Sequence, residues 1–394
     1  MKICVAGKNN IAVDCLYYLL KLVDKSDICV LLNKSDDFKN SWQKSLGFFA
    51  NLEGIEIKTI EEIQSIQDLI FISLEYDRII KPERFKTDKL YNIHFSLLPE
   101  YKGMFTSLLP ILHGKNYSGV TLHKIEKGID TGDIISQLKF DISDLTCRGL
   151  YEEYMKNGFK LFQENIINLI NSDFISQPQD SSYSTYFSKN AFDFNSLNIN
   201  PNQTAYQINH FIKALNFRIY QMPLFNNRKI AKAVIKDKKS KEKPGTVIYE
   251  DTEKVIISTI DYDTELYFDY FDELMNCCRN NDLHKSIQII DFVQNINETD
   301  INGWNPLIVA CYYGSYDLVE LLINNGADIY TKNYNGTNLL MYAKEAYLQN
   351  QDFKIIKLLI ENGVNIYSQD VYGKNIFDYT DNISLLEYLN NISN

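Results

Sequence analysis

Apolar residues arrive in two rhythms along the first part of the chain. KICVAG near the amino terminus is a short, unbroken apolar run, as expected of a strand buried on both faces. The following AVDCLYYLLKLV places Val13, Leu16, Leu19, Leu20 and Val23 on one helical stripe. DICVLLN, QDLIFISLE and DKLYNIHFS return to the strand rhythm. Short strands alternating with helices predict an α/β domain with a parallel, doubly wound sheet, which binds ligands beyond the carboxyl ends of its strands. The first turn, GKNN, lacks the spaced glycines of a dinucleotide fingerprint, so a nicotinamide cofactor is not expected.

Candidate chemistry sits at the end of one of these strands. In YNIHFSLLPEYKG, Asn92 and His94 are two residues apart and project to the same face. A lone histidine there reads as an ordinary satisfied polar residue. GVTLHKIEKGIDTGDIISQ changes that reading, because its glycine-punctuated loop supplies Asp130 and Asp133 between two strand patterns. An amide, an imidazole and a carboxylate together provide an oxyanion donor, a general acid or base, and an orienting anion.

Composition narrows the class. The chain has 394 residues, 45% apolar and 23% charged, enough for two or three domains with real cores. No apolar run approaches the roughly 18 residues of a membrane span, and the opening MKICVAGKNN reads as a strand start and not as a signal peptide. The seven cysteines form no CxxC pair and no metal-ligand spacing, so reduced core thiols in a cytoplasmic protein are expected, with no metal. The net charge of −11 is uneven: from Phe268 onward 7 Lys and Arg stand against 17 Asp and Glu, giving −10. So acidic a tail disfavours phosphate backbones, and a nucleic-acid partner is not expected.

NIHFSLLPEYKG followed by GVTLHKIEKGIDTGDII resembles the folate-dependent formyltransferase family, over roughly residues 1–260. The resemblance implies a Rossmann-like domain that uses 10-formyltetrahydrofolate, with Asn92, His94 and Asp130 as the catalytic residues. Asn92 and a protonated His94 would stabilise the oxyanion. Asp130 would hold His94 charged and relay the amine's proton through a water, and Asp133 would support the loop. It further implies a pterin pocket along Tyr76, Asp77, Arg78 and Ile79 and along Ile125 to Asp130. The acceptor would lie against Lys102, Gly103, Met104, Phe105 and Thr106, with Lys102 and nearby main-chain amides holding a phosphate. His113 and His123 have no place in the motif and read as surface or packing residues.

The middle of the chain narrows the acceptor. TAYQINHFIKAL is an amphipathic helix, and KPGTVI and KVIISTID read as two strands of a small β element. The tRNA-formylating members of the family would carry a larger β-barrel with a basic face. RKIAKAVIKDKKSKEK is Lys-rich but reads as a solvated hairpin loop. The nucleotide-amino-sugar N-formyltransferases resemble the chain better. That implies a homodimer acting on a dTDP-linked 3- or 4-amino sugar for surface polysaccharide, with Arg218 and Tyr220 near the base.

The acidic tail is a repeat array. Gly303 and Gly336 are 33 residues apart, and LLINNGADI is echoed by LLIENGVNI after four extra residues near YLQNQ. This resembles ankyrin repeats, which implies a helical scaffold for a protein partner. Trp304, with several tyrosines close by, could be core filler, part of a protein-binding surface, or a platform that stacks a second nucleotide-sugar, with Lys332 neutralising its phosphates. The expected organisation is thus a catalytic domain over 1–190, a helix and small β element over 191–267, and all-α repeats over 268–394. Two further readings remain: a formyltetrahydrofolate hydrolase built on the same site types, and an ankyrin adaptor on an inactive enzyme domain. The first would release the formyl group without an acceptor, and the second would do no chemistry.

Overall fold

The computed structural model describes residues 1–393. The chain forms two compact units: Met1–Tyr249 with Ile256–Leu266, and Glu250–Val255 with the chain from Tyr267 onward.

A seven-stranded sheet organises the first unit. Its strands are β1 Lys2–Gly7, β2 Ile28–Leu32, β3 Glu56–Ile57, β4 Leu69–Leu74, β5 Leu90–His94, β7 Tyr117–Lys124 and β8 Ile134–Asp141, in the order β3-β2-β1-β4-β5-β7-β8. The first five run parallel, as their apolar runs predict. Successive residues of β1 feed opposite cores: Ile3 and Val5 pack on one face, Cys4 and Ala6 on the other. β7 and β8 run antiparallel, extending the predicted parallel sheet into a mixed one. The loop between them closes a hairpin, which can join only antiparallel neighbours. Gly7 is needed at the end of β1, since a Cβ there would lie 1.9 Å from the Leu74 carbonyl oxygen.

A two-residue pair, β6 Lys102–Gly103 with β9 Tyr186–Phe187, flanks the end of β5. Beyond the helix Ala205–Leu215 comes a five-stranded sheet of β10 Leu224–Phe225, β11 Arg228–Ile235, β12 Val247–Glu250, β13 Lys254–Ile257 and β14 Thr264–Phe268, ordered β10-β11-β14-β13-β12.

The second unit is built of helix pairs: Phe271–Asn280 with Leu283–Ile289, Pro306–Tyr313 with Tyr316–Asn324, and Leu339–Asn350 with Lys354–Glu361. The four extra residues lengthen the first helix of the third pair from eight to twelve residues. The repeat is also visible in its turns. Asn305 and Asn338, one period apart, cap their helices by accepting from the main-chain N–H of Ile308 and Met341. Trp304 is half-buried, its ring packed against Tyr312 and Tyr342 with centroids 5.2 Å away in each case. Lys332 donates to the Ser368 hydroxyl at 2.7 Å.

Candidate active site

The carboxyl end of β5 and the β7–β8 loop bring Asn92, His94 and Asp130 together. β5 aligns with β7 so that Asn92 lies opposite His123. The loop then returns Asp130 over the strand end, in a left-handed conformation with φ 55°. Gln179 holds that turn by donating to the carbonyl oxygens of Asp130 at 2.9 Å and Gly132 at 2.7 Å. Asp133 supports the loop as expected, accepting from the Ser176 hydroxyl at 3.1 Å and lying 3.5 Å from the Lys124 amine.

Tautomers follow from these contacts. His94 is buried, and its Nε2–H donates to the carbonyl oxygen of Tyr101 at 2.8 Å. Nδ1 is therefore the nitrogen that faces Asp130, 3.5 Å from Oδ2. The same Oδ2 accepts from the main-chain N–H of Gly103 at 2.9 Å. Since Nε2 already carries a proton, any hydrogen bond between Nδ1 and the carboxylate requires a second one. Of the two ring nitrogens, only Nδ1 can turn toward a ligand.

His123, which sequence reasoning put among surface or packing residues, belongs to this cluster. It is buried, its Nδ1–H donates to the Lys124 carbonyl oxygen at 2.7 Å, and its Nε2 accepts from the Asn92 amide at 3.0 Å. Burial pushes its pKa down to about 4, so the ring is neutral near pH 7 and its Nε2 stays an acceptor. The Asn92 amide donates to His123 Nε2, and its Nδ2 also makes a long hydrogen bond of 3.5 Å to Asp130 Oδ1.

A cavity of about 800 Å³ opens over the cluster. Tyr76, Asp77, Arg78, Ile79, Ile125 and Asp130 all line it, as do Gly103, Met104, Phe105 and Thr106. Lys102 does not. Its place on β6, paired to β9, buries it, and the amines that line the cavity are instead those of Lys8 and Lys189. Arg218 and Tyr220 also fall outside the lining residues, because the Tyr220 ring packs against Trp42 and Phe217. A folate donor suits the two loops on the cavity's other wall. Ile79, Ile80 and Ile125 offer apolar surface, and among the described residues the main-chain N–H groups of Ile79 and Ile129 take no partner. Among the described residues no cluster of three or more His, Cys, Asp or Glu could hold a metal ion, and no helix is long and apolar enough to cross a membrane.

The chain is similar to known proteins over both of its parts. The formyl transferase family pattern matches residues 25–166, and ankyrin repeats, in three copies, match residues 274–370. WlaRD, a sugar 3N-formyltransferase solved in the presence of dTDP and 5-N-formyl-THF, is 44% identical, with a TM-score of 0.63 over 68% of this chain and 97% of that one. The N-formyltransferase from Helicobacter canadensis, solved with folinic acid and dTDP-3-aminofucose, is 42% identical, with the same TM-score over 68% of this chain and 99% of that one. The methionyl-tRNA formyltransferase of Fervidobacterium nodosum is 36% identical over 140 residues, 35% of this chain. The chain spans 43% of the length of that relative and 63% of the Clostridium novyi enzyme of the same name. The chain belongs to the folate-dependent formyltransferase family, here with a C-terminal ankyrin array.

Proposed function

We propose that the protein transfers a formyl group from 10-formyltetrahydrofolate to the amine of a dTDP-linked 3-amino-dideoxy sugar. The observation that carries this reading is 42–44% identity across almost the whole length of a sugar 3N-formyltransferase and of an N-formyltransferase solved with dTDP-3-aminofucose. The hairpin loop over β5 supplies the residue types the reaction needs.

The folate donor supplies an electrophilic formyl carbon. Residues 76–80 and 125–130 hold its pterin end by apolar contact and main-chain hydrogen bonds, while residues 103–106 border the acceptor. As the neutral amine attacks, negative charge grows on the formyl oxygen. An amide hydrogen of Asn92, turning from its long contact with Asp130, and a proton on His94 Nδ1 stabilise it there. Asp130, steadied by the Gly103 N–H and facing His94 Nδ1, takes the proton that the attacking nitrogen must lose; the bond between the formyl carbon and N10 then breaks, and that proton passes to N10 of the departing tetrahydrofolate. His123 keeps Asn92 turned correctly. We further read the enzyme as a cytoplasmic homodimer serving surface polysaccharide synthesis, and the repeats as a docking scaffold, for a protein or a second nucleotide-sugar.

Mass spectrometry of products from a panel of dTDP- and UDP-linked 3-amino and 4-amino sugars tests the substrate class. The reading expects a formylated product from dTDP-3-amino sugars. Formylation confined to methionyl-tRNA, or to 4-amino sugars, would overturn it.

A further inference from the structure

Glu75 lines the same cavity but has no part in the steps above. It follows β4 directly. Leu74 pairs with Ile93, so Glu75 stands one strand away from His94 at the same level of the sheet. Its backbone is left-handed, with φ 59°, and the Asn33 amide donates to its carbonyl oxygen at 3.0 Å. Non-glycine residues adopt this conformation at a cost of about 1–3 kcal/mol, and they persist in it where the surroundings impose it.

Here the surroundings converge on the carboxylate. Oε2 accepts from Asn9 Nδ2 at 2.6 Å and from the Tyr151 hydroxyl at 2.6 Å. The Tyr151 oxygen is itself held by Asn9 Nδ2 at 2.8 Å and Gln43 Nε2 at 2.7 Å. Asn9 is left-handed as well, with φ 68°. Two side chains, Asn9 and Tyr151, thus fix one oxygen, and Gln43 steadies Tyr151. Among the described residues the other oxygen, Oε1, takes no hydrogen bond, and no ion pair reaches the group. Burial raises the pKa of Glu75, an effect countered in part by the Tyr151 hydrogen bond, by the charge of Lys8 and by Asn9. A rigid, half-desolvated carboxylate with one vacant oxygen is costly unless a cation meets it.

We propose that Glu75 reads the acceptor: Oε1 receives the ammonium form of the incoming amine and takes its first proton beside His94. This rests on the amino-sugar reading above. An amine on a sugar is largely protonated near pH 7 and cannot attack in that form. Transfer breaks one N–H bond and forms one O–H bond, leaving a neutral amine and a carboxylic acid. The second proton, released after attack, goes to Asp130 as already described. The raised basicity of a buried carboxylate suits it to the first step.

Glu75→Gln keeps the shape and an oxygen for Asn9 and Tyr151. It should lower kcat/KM for the dTDP-3-amino sugar by about 100-fold near neutral pH. The loss should shrink by about tenfold per pH unit as pH rises toward the amine's own pKa. The Ki of the same nucleotide-sugar with a hydroxyl in place of the amine should stay within about threefold. Tyr151→Phe removes one donor from the ionised carboxylate and should move the acid limb of the wild-type pH profile upward. A pH-independent loss, a parallel weakening of the hydroxyl analogue, no loss, or an unmoved acid limb in Tyr151→Phe would each overturn the proposal. A wild-type enzyme that formylates no nucleotide-amino-sugar sinks the substrate reading and this inference together. A wild-type enzyme that does, alongside a pH-independent Glu75→Gln defect, sinks this inference alone.

Discussion

Asn92 and His123 meet across β5 and β7, with 3.0 Å between the amide nitrogen and Nε2 of a ring whose other nitrogen donates to the Lys124 carbonyl oxygen. The contact works only while His123 is neutral. A positive ring would present N–H toward the amide hydrogen and turn Asn92 away from the formyl oxygen.

His123→Phe should therefore lower kcat by up to about tenfold, the worth of one modest hydrogen bond, while leaving KM for folate near wild type. Steady-state kinetics with a correctly folded variant checks this. A kcat unchanged by the substitution would remove His123 from the site.

The same histidine carries a stability signature. Its pKa falls from 6.5 to about 4 on folding, so the unfolded chain binds the proton first as pH drops. Stability should decline with acidification across that window and lose no more from this group below it. Urea unfolding at several pH values, compared with His123→Gln, should show a flatter profile in the variant. Equal slopes would contradict the buried, neutral assignment.

Gly103 should tolerate no side chain. Its φ is +88°, and a Cβ would lie 2.3 Å from the Phe187 carbonyl oxygen. Gly103→Ala must shift β6 away from β9 and draw its N–H off Asp130. The expected result is a loss of about 1–3 kcal/mol in stability, with activity falling further than stability accounts for. Wild-type turnover in this variant would contradict the role given to the Gly103 N–H.

The parallel half of the sheet was legible in the sequence because β1, β2 and β4 are apolar runs buried on both faces, with no competing periodicity. The Asn92, His94 and Asp130 cluster was legible from spacing and motif. His123 was not, since a lone histidine in a strand reads as packing, and its partner appears only when the hairpin sets the register. Glu75 was hidden because a left-handed loop residue has no period to reveal it. The burial of Lys102, expected to hold a phosphate, was hidden because a strand of two residues, β9, leaves no pattern in the sequence. In the tail, the repeat period was plain, while the surroundings of Trp304 were not.

Trp304 provides the matching test there. Its contacts with Tyr312 and Tyr342 are those of a packing residue that remains half-exposed. Trp304→Ala should cost the second unit about 2–3 kcal/mol, somewhat less than a fully buried tryptophan. Thermal unfolding of the full chain reads this. An unchanged transition, together with loss of a nucleotide-sugar fluorescence response, would reassign the ring to ligand binding.

The most direct test of the central assignment follows tetrahydrofolate release from 10-formyltetrahydrofolate, with and without a dTDP-3-amino sugar, in wild type, His94→Ala and Asp130→Asn. The account predicts release only when the amino sugar is present, and a loss of about 100-fold or more in each variant. Release at the same rate without the sugar would make the protein a hydrolase. Variants that keep more than about a tenth of the wild-type rate would place the chemistry elsewhere than at His94 and Asp130.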